Sequence, residues 1–170
     1  DVVAFQESVG VKAVTDGEFR RKFFHTDFLL QLDGIEEQGG MEVQFQNAIG
    51  KDVHFAPPKM VVTGKIAHAK PIQRKDYEYL ASVVSETPKV TILHFRAGRE
   101  GISEAVYPDM ADFFADVASA YQEEVADLAD AGCRYLQLDD TNLAYLCDDK
   151  QRENARKRGM DPDDLPRHYA

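Results

Sequence analysis

The stretch Tyr135-Leu-Gln-Leu-Asp-Asp-Thr-Asn-Leu-Ala-Tyr-Leu-Cys147 decides the fold class of this chain. Its first four residues form a short, mainly apolar strand that ends at two adjacent carboxylates, Asp139 and Asp140. In α/β folds, ligands bind at the carboxyl ends of parallel strands, so an acid pair at that point predicts a binding site. A carboxylate in this position can also cap the short helix that follows, by accepting backbone N–H groups. The pattern predicts function for one acid and leaves capping open for the other.

Short apolar strands alternate with helices on both sides of this stretch, which indicates parallel β/α units. Residues 36–58 are rich in Gly, Gln and charge and are predicted to form a loop. The predicted strands cover 11–15, 60–66, 90–93 and 135–138. The predicted helices cover 1–9, 23–32, 72–84, 109–131 and 151–158. On the longest helix, one apolar stripe at helical spacing consists of Phe113, Val117, Tyr121, Val125, Leu128 and Ala129.

Polar side chains follow three of these strands: Glu18, the loop 94–99, and Asp139 with Asp140. Several strands that each offer a polar group at the carboxyl end are typical of the active site of a (β/α)₈ barrel. An open, doubly wound sheet is the alternative, although neither Gly-rich phosphate-binding fingerprint occurs. We therefore predict an α/β chain that forms the middle strands and helices of a (β/α)₈ barrel. Residues 1–170 are expected to be part of one catalytic domain, with the start of the barrel missing.

Composition narrows the class of partner. The chain has 170 residues and a net charge of −10, which argues against nucleic acid or an anionic membrane as the main partner. It has no apolar run of membrane-spanning length. The two cysteines, Cys133 and Cys147, do not form a secreted disulfide framework, so a cytoplasmic location is expected.

The segment Asp16-Gly-Glu-Phe-Arg-Arg21 directly follows a predicted strand. Gly17 permits a left-handed backbone, which would turn Glu18 into the cleft. A buried Glu beside an Arg can keep its charge and receive a substrate ammonium group. The alternative is a solvated turn with a local ion pair.

The loop 94–99 combines a titratable ring, an aromatic face and two guanidinium groups: His94, Phe95, Arg96 and Arg99. Such a loop can stack a flat heterocycle and pair a carboxylate or phosphate in bidentate fashion. His94 is either a hydrogen-bonded structural residue or a base.

The cysteines do not show the spacing of a metal site, because no His lies at a short ligand spacing from either one. Cys133 is predicted to be a small, buried apolar residue. Cys147 lies nearer the carboxyl ends of the strands, where a reactive thiol is the alternative to an inert one.

Three blocks of this sequence together resemble the cobalamin-independent methionine synthases, and more closely their short, single-barrel, methionine-synthase-II-like homologues. They are Asp16-Gly-Glu-Phe-Arg-Arg with Leu32-Asp-Gly34, then Lys89-Val-Thr-Ile-Leu-His-Phe-Arg96 leading into Val106-Tyr-Pro-Asp109, and finally Gly132-Cys-Arg-Tyr-Leu-Gln-Leu-Asp139 with its continuation to Cys147. The blocks occur in the family's order and span most of the chain.

The resemblance implies a barrel that binds zinc and transfers a methyl group to a thiolate. It implies that Glu18 and Asp139 hold the amino group of homocysteine, while Asp140 serves local structure. The loop with His94, Arg96 and Arg99 resembles the region that approaches the pterin or another methyl donor.

Two departures from the family's pattern bear on this assignment. The family's zinc ligands (a His-x-Cys pair, a Glu and a Cys) would lie beyond Ala170, so these residues alone are expected to be inactive. The short homologues also carry a few Pro and Ser residues between the equivalents of Ile92 and Leu93, and we expect that segment to be missing here.

The predicted function is therefore zinc-activated methyl transfer to homocysteine or a similar small thiol. One rival is a zinc-dependent thiol alkyltransferase of the epoxyalkane–coenzyme M type, and another is a non-catalytic binding barrel. A folate, a corrinoid protein and a methylated thiol all stay open as methyl donors, and the sequence does not indicate the oligomeric state.

Overall fold

The computed structural model of the chain describes residues 1–24, 26–40, 43–46, 52–55, 58–93, 101–140, 142–157 and 159–169. The helices in this part of the chain are α1 Val2–Ser8, a 3₁₀ turn Leu29–Gln31, α2 Arg74–Val83, α3 Met110–Asp130, α4 Asn142–Tyr145, α5 Asp149–Lys157 and α6 Leu165–Tyr169. The strands are β1 Ala13–Val14, β2 Asp33–Gly40, β3 Val43–Gln46, β4 Asp52–Phe55, β5 Pro58–Ala67, β6 Thr87–Pro88, β7 Val90–Leu93 and β8 Leu136–Asp139.

A parallel layer is the centre of the fold. β1 pairs with β6, and β7 pairs with β8, both in parallel. Only Lys89 separates β6 from β7, so these two short strands are consecutive parts of one central strand. The two pairs therefore form one layer, in which β1 lies on one side of the central strand and β8 on the other. The Lys89 N–H donates to the Val14 oxygen at 2.8 Å, and the Val90 N–H donates to the Tyr135 oxygen at 3.1 Å. The carboxyl ends of all three strands therefore meet at one edge.

The predicted α/β class is confirmed, with helices in the connections between parallel neighbours. The described residues do not form a closed barrel. The strand 90–93 pairs residue by residue with 136–139, and this register continues without a shift through Ile92 and Leu93. The segment expected to be missing between these two residues stays a prediction.

The prediction for residues 23–66 is wrong in three respects: the helix at 23–32, the loop at 36–58 and the parallel pairing of 60–66. Residues 33–40 form β2, which pairs with β5 in an antiparallel hairpin, and β3 pairs with β4 in the same sense. The segment 60–66 is thus part of a hairpin and not of a parallel β/α unit. Residues 23–24 and 26–32 form bends and turns that end in the 3₁₀ turn, and not a regular helix.

Gly34 explains part of this error. The sequence pattern assigns it to a helix end, but its φ is +80°, and a Cβ there would lie 2.4 Å from the Lys65 oxygen. Only glycine permits β2 to approach β5 so closely. The residue marks a strand contact and not a helix stop.

Helix α3 covers the layer and the hairpin. Its buried side chains are Phe113, Val117, Ala120, Tyr121, Glu124 and Leu128. The predicted stripe is wrong at Val125 and Ala129, which are exposed, because the inward position in that turn belongs to Glu124. Asp109 caps the helix as its carboxylate accepts the Ala111 N–H at 2.9 Å. Within the described residues, no helix combines the length and apolar character needed to cross a membrane.

Candidate functional site

Glu18 lies directly after β1 in an unusual backbone conformation. Its φ is +59°, which makes it the one non-glycine residue with a positive φ among the described residues. A left-handed conformation at a non-glycine residue costs about 1–3 kcal/mol and persists only where the surroundings hold it. The Glu18 N–H donates to the Asp16 carboxylate at 2.9 Å, and the Gly17 N–H donates to the Thr15 hydroxyl at 3.1 Å. These bonds fix the turn that directs Glu18 out of the strand.

The start of this turn is anchored by Gln6 of α1. Its carboxamide Nε2 donates to the Thr15 oxygen at 2.8 Å, and its Oε1 accepts the Thr15 N–H at 3.1 Å. Gln6 thus satisfies both backbone groups of Thr15 at the point where β1 ends. The strand end is held in place before the chain turns toward Glu18.

Arg21 connects Glu18 to the central strand. Its Nη1 lies 3.4 Å from Glu18 Oε1, and its Nη2 donates to the Thr91 oxygen at 2.8 Å. The Arg21 side chain is 9% exposed, while that of Glu18 is 31% exposed. The guanidinium thus holds the Glu18 carboxylate from one side and the central strand from the other. The structure therefore has the ion pair that both sequence interpretations of this segment require.

Asp139 lies at the end of β8, at the same edge of the layer. It is half-buried and accepts a hydrogen bond from Gln137 Nε2 at 2.5 Å. In the strand register, Asp139 faces Leu93 and Gln137 faces Thr91, whose oxygen binds Arg21. A short series of contacts thus leads from Glu18 across the central strand to Asp139.

Asp140 has a local role. Its carboxylate Oδ1 accepts the Leu143 N–H at 3.4 Å, in the first turn of α4. This contact agrees with the capping interpretation of the second acid. Among the acids of this pair, the structure therefore leaves Asp139 as the candidate for ligand binding.

A cavity of about 220 Å³ lies between the end of β1, the central strand and the first turns of α2. Glu18, Arg21, Gln73 and Thr91 are among the residues that line it, whereas Asp139 does not. The structure thus brings Glu18 and Arg21 into one pocket and leaves Asp139 two strands away along the same edge.

Carboxylates outnumber cationic side chains in the lining of this cavity, and one of them, Asp76, is paired with Arg20 at 2.8 Å. The lining includes the carboxylates of Asp16, Glu18 and Asp76 against two cationic side chains, Arg21 and Lys89. Burial raises the pKa of the nearby Asp27 carboxyl above its usual range, an effect opposed by Arg21 and reinforced by Asp76. A ligand that brings an ammonium group suits this balance of charge.

The other predicted ligand contacts are His94, Arg96 and Arg99, which fall in 94–100, outside the described residues. They stay predictions. Of the cysteines, Cys133 is buried, as predicted, and burial raises the pKa of its thiol. Cys147 is exposed, and neither cysteine forms a disulfide.

The sequence interpretation missed Glu124 and Gln73. Glu124 is fully buried, and its carboxylate accepts the Ile72 N–H at 3.0 Å and the Gln73 N–H at 2.7 Å. His68 Nε2 lies 2.6 Å from the same carboxylate. One sequence signal was available for Glu124: it lies three residues after Tyr121 and four before Leu128, which is the spacing of the buried stripe.

One group of potential metal ligands occurs in the described part of the chain: His68, Glu124 and Asp127. Zinc holds nitrogen and oxygen ligands at about 2.0–2.2 Å in a tetrahedron, which separates the ligand atoms by roughly 3.3 Å. The 2.6 Å between His68 Nε2 and Glu124 Oε2 is a hydrogen-bond distance. Both Glu124 oxygens also accept backbone N–H groups. This group does not fit a zinc site and fixes the connection between β5 and α2.

The chain matches a known protein family over most of its length. The family described as "Cobalamin-independent synthase, Catalytic domain" matches residues 1–158. The chain is 39% identical over 176 aligned residues to the uncharacterized protein YxjH of Bacillus subtilis, covering 99% of this chain and 45% of that protein. It is 28% identical over 140 residues to a methionine synthase of Sulfolobus acidocaldarius, covering 82% of this chain and 39% of that protein.

Among solved structures, the chain is similar to a B12-independent methionine synthase from Shewanella sp. W3-18-1 in complex with selenomethionine. The TM-score is 0.64 at 18% identity, over 90% of this chain and 42% of that one. This likeness concerns the fold. The chain spans less than half the length of these relatives.

Proposed function

The chain belongs to the cobalamin-independent methionine synthase family, and on that premise we propose that it provides the substrate-amine site of a methyltransferase. The proposed reaction moves a methyl group to the thiolate of homocysteine or of a similar small thiol. We propose further that these residues are part of one catalytic barrel domain and that the protein acts in the cytoplasm.

The observation that carries the proposal is the conformation of Glu18. A strained carboxylate at a strand end, held by Asp16 and paired with the well-covered Arg21, is typical of a ligand-binding group and not of a solvated turn. In the proposal, Glu18 binds the ammonium group of the amino-acid thiol. Arg21, whose Nη1 lies 3.4 Å from the Glu18 carboxylate, holds that carboxylate in place for the ammonium.

Asp139 supplies the second carboxylate in this proposal. It lies at the same edge of the parallel layer, held by Gln137, and would approach the ammonium from the β8 side. We assign the methyl donor to the loop with His94, Arg96 and Arg99, on the strength of the family resemblance. Together these groups orient the substrate so that its sulfur faces the donor.

Zinc is part of the family's chemistry, and a bound zinc ion lowers the pKa of a thiol. The described residues offer no group whose geometry suits it, since the cluster at His68 is a hydrogen-bonded structural network. We propose that the zinc ligands lie beyond Ala170. The role of this chain's own residues is then to bind and orient the amino-acid head of the substrate.

The rival activity, thiol alkylation of the coenzyme M type, needs a cationic pocket for a sulfonate. Arg21, a cation of this cavity whose side chain is 9% exposed, is engaged with Glu18 and the Thr91 oxygen. The acidic majority in the lining also opposes a sulfonate. Both observations favour an amino-acid thiol.

A methyl-transfer assay tests the proposed function. The full-length protein is incubated with zinc and L-homocysteine, separately with a 5-methyltetrahydropteroylglutamate, a methylcorrinoid protein and S-methylated thiols, and methionine is measured by mass spectrometry. Methionine formed from one of these donors is the expected result. If every donor gives none while 2-mercaptoethanesulfonate is alkylated by an epoxyalkane, the coenzyme M-type activity is correct instead.

A further inference from the structure

Gln73 carries a buried carboxamide without a partner. The residue is 3% exposed and lines the cavity that contains Glu18. Within the described residues, neither its Nε2 nor its Oε1 has a hydrogen-bond partner. Buried polar groups in folded proteins are almost always paired, so an amide with both atoms unpaired calls for an explanation.

A loosely held backbone does not explain the unpaired carboxamide of Gln73. Gln73 directly precedes α2, and its backbone N–H donates to Glu124 at 2.7 Å while its oxygen accepts the Tyr77 N–H at 2.9 Å. Glu124 is fully buried and therefore a fixed acceptor. The backbone of Gln73 is thus held on both sides, at a position that lines the cavity.

The contrast with Gln6 supports a role in ligand binding. The Gln6 carboxamide, at the other side of the same strand end, uses both its nitrogen and its oxygen on Thr15. Gln73 has the same nitrogen and oxygen at the cavity wall, and within the described residues neither forms a hydrogen bond. Together with the strained Glu18, this gives the cavity two independent features that a ligand would explain.

We propose that Gln73 is a substrate-recognition residue that binds the zwitterionic head of a small amino acid in this cavity, an inference that rests on the proposed function. The carboxamide offers an NH₂ group that donates and an oxygen that accepts, side by side. Its Nε2 would donate to the substrate carboxylate, and its Oε1 would accept from the ammonium that Glu18 also binds. The cavity of about 220 Å³ is below the roughly 300–1,000 Å³ of sites for drug-sized ligands, which suits a small amino acid.

Calorimetric titration of the full-length protein with L-homocysteine tests this role. Gln73→Met keeps the length of the side chain and removes both polar groups. We expect it to raise the Kd by at least about tenfold, the effect of losing a hydrogen bond to a charged group. Gln122→Met, on the exposed face of α3, is the matched control and leaves the Kd unchanged. The melting temperature of ligand-free Gln73→Met should equal or exceed that of the wild type, because an unpaired buried amide is removed.

A second variant separates recognition from a structural role. Gln73→Glu places a carboxylate beside the substrate's own carboxylate, so it should weaken binding of homocysteine while it preserves binding of 3-amino-1-propanethiol, which lacks that group. Equal affinity of wild type and Gln73→Met for homocysteine overturns the inference and leaves the proposed function intact. A wild-type protein that binds no homocysteine overturns both.

Discussion

At the scale of single residues, the two acids that we propose bind one ammonium group are held in different ways. Glu18 is strained and paired with Arg21, whereas Asp139 sits in regular strand geometry and is held by Gln137. Asp140, its neighbour, contacts the Leu143 N–H and has a structural role. We therefore predict different consequences for substitutions at Asp139 and Asp140, although these side chains are adjacent and chemically identical.

Asp139→Asn in the full-length protein should raise the Km for the amino-acid thiol by at least about tenfold, because a charge-assisted hydrogen bond to the ammonium becomes a neutral one. Asp140→Asn is the matched control and should leave this Km unchanged. Steady-state kinetics over a range of homocysteine concentrations measures both. An unchanged Km in Asp139→Asn would remove this residue from the site.

The sequence predicted Glu18, Asp139 and Asp140 because each follows a strand, and position after a strand is a local property of the chain. It could not predict Gln73. That residue stands out only through the absence of partners for a buried amide, and burial arises from contacts with distant segments. The loop residues His94, Arg96 and Arg99 stay untested predictions.

At the scale of elements, Glu124 joins α3 to the start of α2. Its carboxylate accepts two backbone N–H groups and contacts His68, all without access to water. Glu124→Gln replaces one accepting oxygen with a donor that faces an N–H group. We expect it to lower the free energy of unfolding by about 1–3 kcal/mol, the cost of an unsatisfied buried group.

Urea denaturation measures this change, with Glu123→Gln as the control. Glu123 is the adjacent acid on the same helix and is 55% exposed, so its substitution should change stability by less than about 0.5 kcal/mol. Equal effects of the two substitutions would contradict the structural role of Glu124. A rise in melting temperature with added zinc that Glu124→Gln abolishes would instead identify a metal site.

Among the elements, α3 and the parallel strands were predictable, since their apolar patterns are strong and local. The hairpin of β2 and β5 was not, because Gly and charged residues dominate β2 and resemble a loop. Its strands are stabilised by pairing with each other across a long separation in sequence, which no local pattern encodes. The error in the buried stripe, where Glu124 and not Val125 faces inward, has a similar cause. Glu124 is buried because the distant backbone N–H groups of Ile72 and Gln73 bind its carboxylate.

At the scale of the whole molecule, Tyr107 connects the hairpin to α3. Its hydroxyl accepts the Ile66 N–H at 2.7 Å and donates to the Asp116 carboxylate at 2.7 Å, and burial raises its pKa to about 12. A tyrosine ionises near pH 10 in an unfolded chain. Because the folded pKa is the higher one, the stabilising contribution is complete below pH 10 and is lost as the pH rises through 12.

Tyr107→Phe should therefore be less stable than the wild type at pH 8, and this difference should shrink between pH 10 and 12. Urea denaturation across this pH range gives the two curves, and Tyr79→Phe, at a ring that is 55% exposed, is the control. A difference between wild type and Tyr107→Phe that stays constant from pH 8 to 12 would contradict a raised pKa in the folded state.

The central claim is that the edge of the parallel layer with Glu18 and Asp139 binds the ammonium group of an amino-acid thiol. Calorimetric titration of the full-length protein with L-homocysteine and, in parallel, with 2-mercaptoethanesulfonate tests it most directly, because the two thiols differ in the charge of the head. The account predicts at least about tenfold tighter binding of homocysteine, equivalent to 1.4 kcal/mol. Tighter binding of the sulfonate, or equal affinities for both thiols, would contradict it.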